Sequence, residues 1–210
     1  MTHPLLARRG LYAITDGPRD DLVEVCAAAI EGGAVLLQYR DKTADAVRRS
    51  NEARALAALA ARYRVAFIVN DDVDLAAAVG AHGVHLGEGD VDISAARAKL
   101  GAGAIIGVSC YDSLERARTL AARGADYLAF GAFHASPTKP HARTATPALL
   151  REAKALGVPL VAIGGITAAN GGTLIDAGAD YLAAISAVFG AADVRGAAQA
   201  FAALFDTTHS

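Results

Sequence analysis

The polar side chains able to do chemistry stand in short clusters, each directly after an apolar run. Gln38-Tyr39-Arg40-Asp41-Lys42 follows Val35-Leu36-Leu37. Gln38, Arg40 and Lys42 alternate, so on an extended segment all three project to one side. Two cations and an amide held together suit phosphate oxygens, Arg offering a planar donor fork and Lys a point charge. The plainer alternative is a solvated strand end. Asn70-Asp71-Asp72 follows Phe67-Ile68-Val69, and Gly87-Glu88-Gly89-Asp90 follows Val84-His85-Leu86. On neighbouring parallel strands, about 5 Å apart, Asp71 and Asp90 can meet one hard cation. Two carboxylates completed by ligand oxygens and water are the usual Mg²⁺ arrangement, whereas carboxylates without clustered His or Cys argue against zinc. Helix capping competes for the role, because Asp71 or Asp72 precedes a helical pattern starting near residue 73. Taken singly, Asp41, Asp72, Asp74 and Glu88 read as caps or surface charges.

Further clusters follow the later apolar runs. Ser109 closes Ile105-Ile106-Gly107-Val108, Gly164-Gly165 follows Val161-Ala162-Ile163, and Ser186 follows Ala184-Ile185. Ser136, Thr138 and Lys139 lie in the loop Ala135-Ser136-Pro137-Thr138-Lys139-Pro140-His141. Hydroxyls and an ammonium suit phosphate oxygens, although the same residues are common in plain surface loops. His85 reads as a hydrogen-bonded structural residue, with catalysis as the alternative. His134 and His141 can line a mouth; His3, His82 and His209 read as surface or terminal residues.

These clusters need a scaffold that brings strand ends together. One punctuation recurs: an Ala-rich amphipathic run, a Gly, then a short apolar run. A Gly after a helix supplies a left-handed cap, and Val, Ile, Leu and Tyr after it suit a strand buried on both faces. The hexapeptide Gly-Ala-Asp-Tyr-Leu-Ala occurs at Gly124 and again at Gly178, an internal repeat whose offset holds two strand–helix units. Packing explains the repeated Tyr127 and Tyr181 most simply. Strands are expected at 10–16, 34–40, 65–70, 82–86, 104–109, 125–131, 158–163 and 180–186. Helices are expected at 20–31, 44–63, 72–80, 93–100, 113–123, 146–156, 167–177 and 193–205. Asp112 or Ser113 can cap the fifth helix, with Glu115 placed for a capping box, and Thr167 can cap the seventh. Eight such alternations predict an α/β fold, a single (β/α)₈ TIM barrel spanning 1–210, with a leader at 1–9 and a tail at 206–210. A doubly wound sheet is the alternative, but Thr15-Asp16-Gly17-Pro18 after the first strand is no Gly-x-Gly-x-x-Gly turn. A barrel of this kind builds its active site at the C-terminal ends of its strands, where every cluster above lies. Gly164-Gly165 and Ile185-Ser186 then match the monophosphate cradle that many such barrels share.

Composition narrows the function. The net charge of −2 gives no basic footprint for nucleic acid. Hydrophobic residues make up 53%, much of it Ala, without an uncharged run long enough to span a membrane, and the N-terminus lacks a signal-peptide pattern. Cys26 and Cys110, each in an apolar segment, read as packing residues in a protein of the reducing cytoplasm. The partners expected are small anionic molecules. A monomer and a homodimer are equally readable.

The chain resembles the thiamine phosphate synthase family from about residue 10 to 190. The resemblance rests on Leu11-Tyr12-Ala13-Ile14-Thr15-Asp16, Gln38 to Lys42, Phe67 to Asp71, Gly83 to Asp90, Gly107-Val108-Ser109, Ser136 to Pro140, Ala162 to Thr167 and Ile185-Ser186. It implies that hydroxymethylpyrimidine diphosphate is joined to a hydroxyethylthiazole phosphate, giving thiamine phosphate and diphosphate. It further implies that the run Gln38, Tyr39, Arg40, Asp41 and Lys42 holds the pyrimidine diphosphate, with Asn70 at the pyrimidine end. By the same resemblance, Asp71 and Asp90 would bind Mg²⁺, and Ser109 and Lys139 would contact the diphosphate, forming the catalytic set with Arg40 and Lys42. Ser136 and Thr138, on either side of Pro137, would take the thiazole phosphate with Gly165, Ile185 and Ser186. His134 is unusual in the family's pattern, where Gly131-Ala132 would be Gly-Pro. The alternatives are a thiazole tautomerase-like barrel, which would not need Asp71, Asp90 and Lys139 together; another phosphate-binding isomerase, for which only Asp16 and Asp71 offer an acid/base pair; and a non-catalytic thiazole phosphate sensor.

Overall fold

Short strands that are apolar on both faces must be covered on both, and their backbone groups must find partners in a sheet. The computed structural model describes residues 3–134 and 144–206. In it the strands close into a parallel barrel in sequential order. They are β1 (Gly10–Ile14), β2 (Ala34–Tyr39), β3 (Ala66–Asn70), β4 (Gly83–Leu86), β5 (Ile105–Tyr111), β6 (Tyr127–Phe130), β7 (Leu160–Ile163) and β8 (Tyr181–Ala184). The helices are α1 (Leu22–Glu31), α2 (Ala46–Tyr63), α3 (Val73–Val79), α4 (Ile93–Leu100), α5 (Leu114–Ala122), α6 (Pro147–Ala153), α7 (Gly172–Asp176), α8 (Ser186–Phe189) and α9 (Val194–Asp206). The expected (β/α)₈ barrel is present.

The two-residue period of the strands divides the core in two. Leu37, Phe67, Val69, Val84, Ile106 and Leu128 face outward and pack under the helices. Tyr12, Leu36, Ile68, Ile105, Tyr127 and Tyr181 fill the barrel interior. Position 107 faces inward on β5 with Ile105, and it is glycine because the Tyr127 ring occupies the space beside it: a Cβ there would lie 1.8 Å from the ring.

The repeated hexapeptide builds the same joint twice. Asp126 accepts the Ile106 N–H at 2.7 Å, and Asp180 accepts the Leu160 N–H at 2.9 Å. Each Asp thereby ties the entry of its strand to the entry of the preceding one, and each is paired with an arginine, Arg97 and Arg9 respectively. The tyrosines of the repeat diverge. Tyr181 donates to the Leu6 carbonyl at 2.6 Å and closes the lower end of the barrel, whereas Tyr127 joins a polar chain described below. Pro4–Leu6 is therefore more than a leader: it forms a 3₁₀ turn whose Leu6 is buried in the barrel floor.

Some local expectations are corrected. The seventh helix begins at Gly172, not 167, and Thr167 does not cap it. Asn170 instead accepts the Thr167 N–H at 2.8 Å and donates to the Gly165 carbonyl at 3.1 Å, so a side-chain turn and Gly171-Gly172 replace the first helical turns. Ser113 caps α5, donated to by the Arg116 N–H at 3.1 Å, which leaves Glu115 one position short of a capping box. The one-turn α8 follows β8 directly, where strand was expected to run to residue 186.

Candidate active site

A cavity of about 550 Å³ opens where the strands end. Gln38, Arg40, Lys42, Asn70, Asp71, Asp90, Ser109, Gly165, Ile185 and Ser186 line it, as the strand-end reasoning expects. Ser136, Pro137, Thr138, Lys139 and His141 lie outside the described residues.

One edge of the cavity is charged. Asp72 caps α3, accepting the Leu75 N–H at 2.9 Å, and pairs with Arg49 at 2.9 Å. That settles the capping question in favour of Asp72 and leaves the Asp71 side chain to the cavity. Asp71 has a φ of 61°, a left-handed conformation that Asp tolerates better than most residues, and its N–H donates to the His85 carbonyl at 2.8 Å. Its carboxylate pairs with the Lys42 ammonium. Asp90 accepts the Gly87 N–H at 2.5 Å. Burial works against the Asp71 carboxylate, but hydrogen bonds with Lys42 and Asp90 and the Lys42 charge hold it below the ordinary carboxylate range. Asp90 moves upward, pushed by burial and by the Asp71 carboxylate against the Gly87 N–H and the Lys42 charge. Two carboxylates displaced in opposite directions behave as one unit that favours a proton or a cation between them. The donor set is all oxygen, which fits Mg²⁺; ligand and water oxygens would complete it.

The run after β2 is held from behind. Thr15 is fully buried, donates to the Arg40 carbonyl at 3.0 Å and accepts the Arg40 N–H at 2.8 Å. Strand parity sends the alternate residues the other way, which corrects two expected ligand contacts. Tyr39 packs among the outer core and donates to Glu52 at 2.6 Å. The Asp41 side chain is 0% exposed and accepts from Arg48 at 2.7 Å and from the Thr43 N–H at 2.8 Å. Neither lines the cavity; both brace the loop that presents Arg40 and Lys42.

Among the described residues the opposite edge is uncharged and made of backbone. Gly164 and Gly165 have φ of 103° and 62°, values that favour glycine. A Cβ on Gly164 would lie 2.4 Å from that of Ala132, so the loops after β6 and β7 touch there. Ile185 and Ser186 enter α8 beside them. Between the two edges the wall is apolar: Ile14, Ala129, Val161, Ile163 and Ala183.

The floor carries residues that sequence reasoning undervalued or missed. His85 lies in the wall, its Nε2 2.9 Å from the Ser109 hydroxyl and its Nδ1 3.0 Å from the Tyr127 hydroxyl. Tyr12 also reaches the floor. An inward Tyr on a wholly apolar strand gives no signal until the barrel parity is known. Asp16 does not line the cavity; its carboxylate is 3.8 Å from Arg19. Among the described residues, Asp16 and Asp71 are therefore not brought together in the cavity as the isomerase alternative needs.

The profile of the family described as thiamine monophosphate synthase matches residues 11–188. The thiamine-phosphate synthase of Chromobacterium violaceum is 53% identical over 198 residues, covering 93% of this chain and 96% of its own. That of Halorhodospira halophila is 56% identical over 191 residues, covering 90% and 91%. The solved structure of the thiamine phosphate pyrophosphorylase from Pyrococcus furiosus superposes with a TM-score of 0.87 at 36% identity, covering 96% of this chain and 98% of that one.

Proposed function

This chain belongs to the thiamine monophosphate synthase family, and on that premise we propose that it condenses hydroxymethylpyrimidine diphosphate with hydroxyethylthiazole phosphate, giving thiamine phosphate and diphosphate. The observation that carries the reading is one cavity with two unlike edges. Lys42, Arg40, Asp71 and Asp90 stand on one side, and the Gly164-Gly165 and Ile185-Ser186 backbone on the other.

The diphosphate belongs at the charged edge. Arg40, Lys42 and Lys139 take its oxygens, and Ser109 donates to it. Asp71 and Asp90 would hold Mg²⁺, which when bound would supply charge neutralisation to the departing diphosphate. The C–O bond breaks with its electron pair leaving on the diphosphate oxygen, and the cations of this edge stabilise charge as it develops there. The thiazole nitrogen donates its lone pair to the pyrimidinylmethyl carbon, forming the C–N bond. No protein nucleophile takes part. The thiazole phosphate is held by the Gly165 and Ser186 backbone with Ser136 and Thr138, and Asn70 meets the pyrimidine. The apolar wall covers both rings, and holding them face to face supplies much of the remaining acceleration. Cys26 and Cys110 are free and buried, which supports a reducing cytoplasm as the working compartment.

Asp71→Ala tests the division of labour. Thiamine phosphate formation should fall by about 100-fold or more, while calorimetric binding of thiazole phosphate stays near wild type. Equal loss of both would place Asp71 at the wrong edge.

A further inference from the structure

Five buried or half-buried polar side chains form an unbroken line through the barrel interior. Gln38 Nε2 donates to the Tyr12 hydroxyl at 2.7 Å. The Tyr12 and Tyr127 hydroxyls are 2.8 Å apart. Tyr127 lies 3.0 Å from His85 Nδ1, and His85 Nε2 lies 2.9 Å from Ser109 Oγ. Tyr12 and Tyr127 are 1% and 0% exposed, so each hydroxyl hydrogen must be placed within the line.

With Gln38 Nε2 facing the Tyr12 hydroxyl, one placement of these hydrogens leaves none of them without a partner in the line. An amide nitrogen only donates, so Tyr12 accepts from Gln38 and its own hydrogen goes to Tyr127. Tyr127 is thereby an acceptor, and its hydrogen has His85 Nδ1 as acceptor. A hydrogen on Nδ1, with Nε2 bare or occupied, would leave the Tyr127 hydrogen buried without a partner, at a cost of about 1–3 kcal/mol. Burial pushes the Tyr12 and Tyr127 phenols well above their ordinary values, so neither is available as a phenolate acceptor.

We propose that this line is a directional hydrogen-bond wire that places the His85 hydrogen on Nε2 and commits the Ser109 hydroxyl to donate into the cavity. Ser109 Oγ accepts from His85, and its own hydrogen points toward the ligand. Tyr12, Tyr127 and His85 are positioning residues. Ser109 becomes a pre-oriented donor to the leaving diphosphate, an assignment that rests on the function proposed above. The ring of Tyr127 fits only because position 107 is glycine, which keeps the wire continuous between β4, β5 and β6.

The test has two arms. ¹⁵N spectra of histidine-labelled, ligand-free protein at neutral pH, with His85 identified by its loss in His85→Gln, read the tautomer without substrate. The Nε2–H form is expected, and Nδ1–H would overturn the wire. Tyr127→Phe keeps the ring over Gly107 and removes the hydroxyl. It should fold normally by thermal melt, give His85 a mixture of tautomers, and lower kcat about tenfold with KM within about twofold. A single unchanged tautomer or an unchanged kcat would overturn the positioning role. If Tyr127→Phe fails to fold, Tyr12→Phe takes its place with the same expectations. Absence of turnover in the unmutated protein, with Nε2–H observed, would count against the proposed function and leave the wire standing.

Discussion

At Asp41 the carboxylate is fully covered, and its partners are Arg48, Thr43 and the loop backbone rather than a ligand. Burial pushes its pKa up, but the Thr43 hydrogen bonds and Arg48 outweigh it and hold the carboxyl below its usual 3.8. A group whose folded pKa is depressed stabilises the fold above its unfolded pKa and loses that contribution as the pH falls through the folded value. Asp41→Asn should therefore cost about 1–3 kcal/mol at neutral pH. The gap to wild type should narrow once the pH drops below 3.8. Urea unfolding of both proteins across that range checks it, and a gap independent of pH would contradict the assignment. Asp71 shows the complementary use of the same side chain. There the cap is provided by the next residue, and the left-handed backbone turns the carboxylate to Lys42 and Asp90. The alternation of Gln38, Arg40 and Lys42 was readable from spacing alone, and the same alternation excludes Tyr39 and Asp41 from the cavity. Helix capping by Asp71 or Asp72 was not decidable from sequence, because both residues precede α3 and only the backbone conformation separates them.

Among the elements, the duplicated hexapeptide has the clearest structural role. Asp126 satisfies a strand-entry N–H that would otherwise be left at the barrel's lower rim, and Asp180 repeats this on the other side. Asp126→Ala should lower stability by about 1–3 kcal/mol and raise hydrogen exchange at the Ile106 amide, with little change in turnover. Loss of turnover without loss of stability would mean that the joint reaches the active site. Most strands were legible as short apolar runs after a Gly, and their expected limits fall close to those observed; β3 instead follows Arg64, which itself takes the left-handed cap at φ 57°. The start of α7 and the existence of α8 were not. Thr167 offered a standard cap, but Asn170 and two glycines form a turn first, and a one-turn helix has too few residues to show a period.

In the whole molecule, the barrel gives the cavity its polarity. Neighbouring strands β2, β3 and β4 deliver the cations and carboxylates, while β7 and β8, also neighbours, deliver glycine and helix-entry backbone. Among the described residues the lower end is closed by Leu6 and Tyr181, and the cavity opens where the strands end. On the function proposed above, two phosphorylated substrates and a hard cation are used together. The measurement that tests this most directly is diphosphate release from the purified protein with the pyrimidine diphosphate, the thiazole phosphate and Mg²⁺ all present, repeated with each omitted in turn. The account predicts release only when all three are supplied, matched by thiamine phosphate. Release that persists without thiazole phosphate or without Mg²⁺, or none with all three, would contradict it.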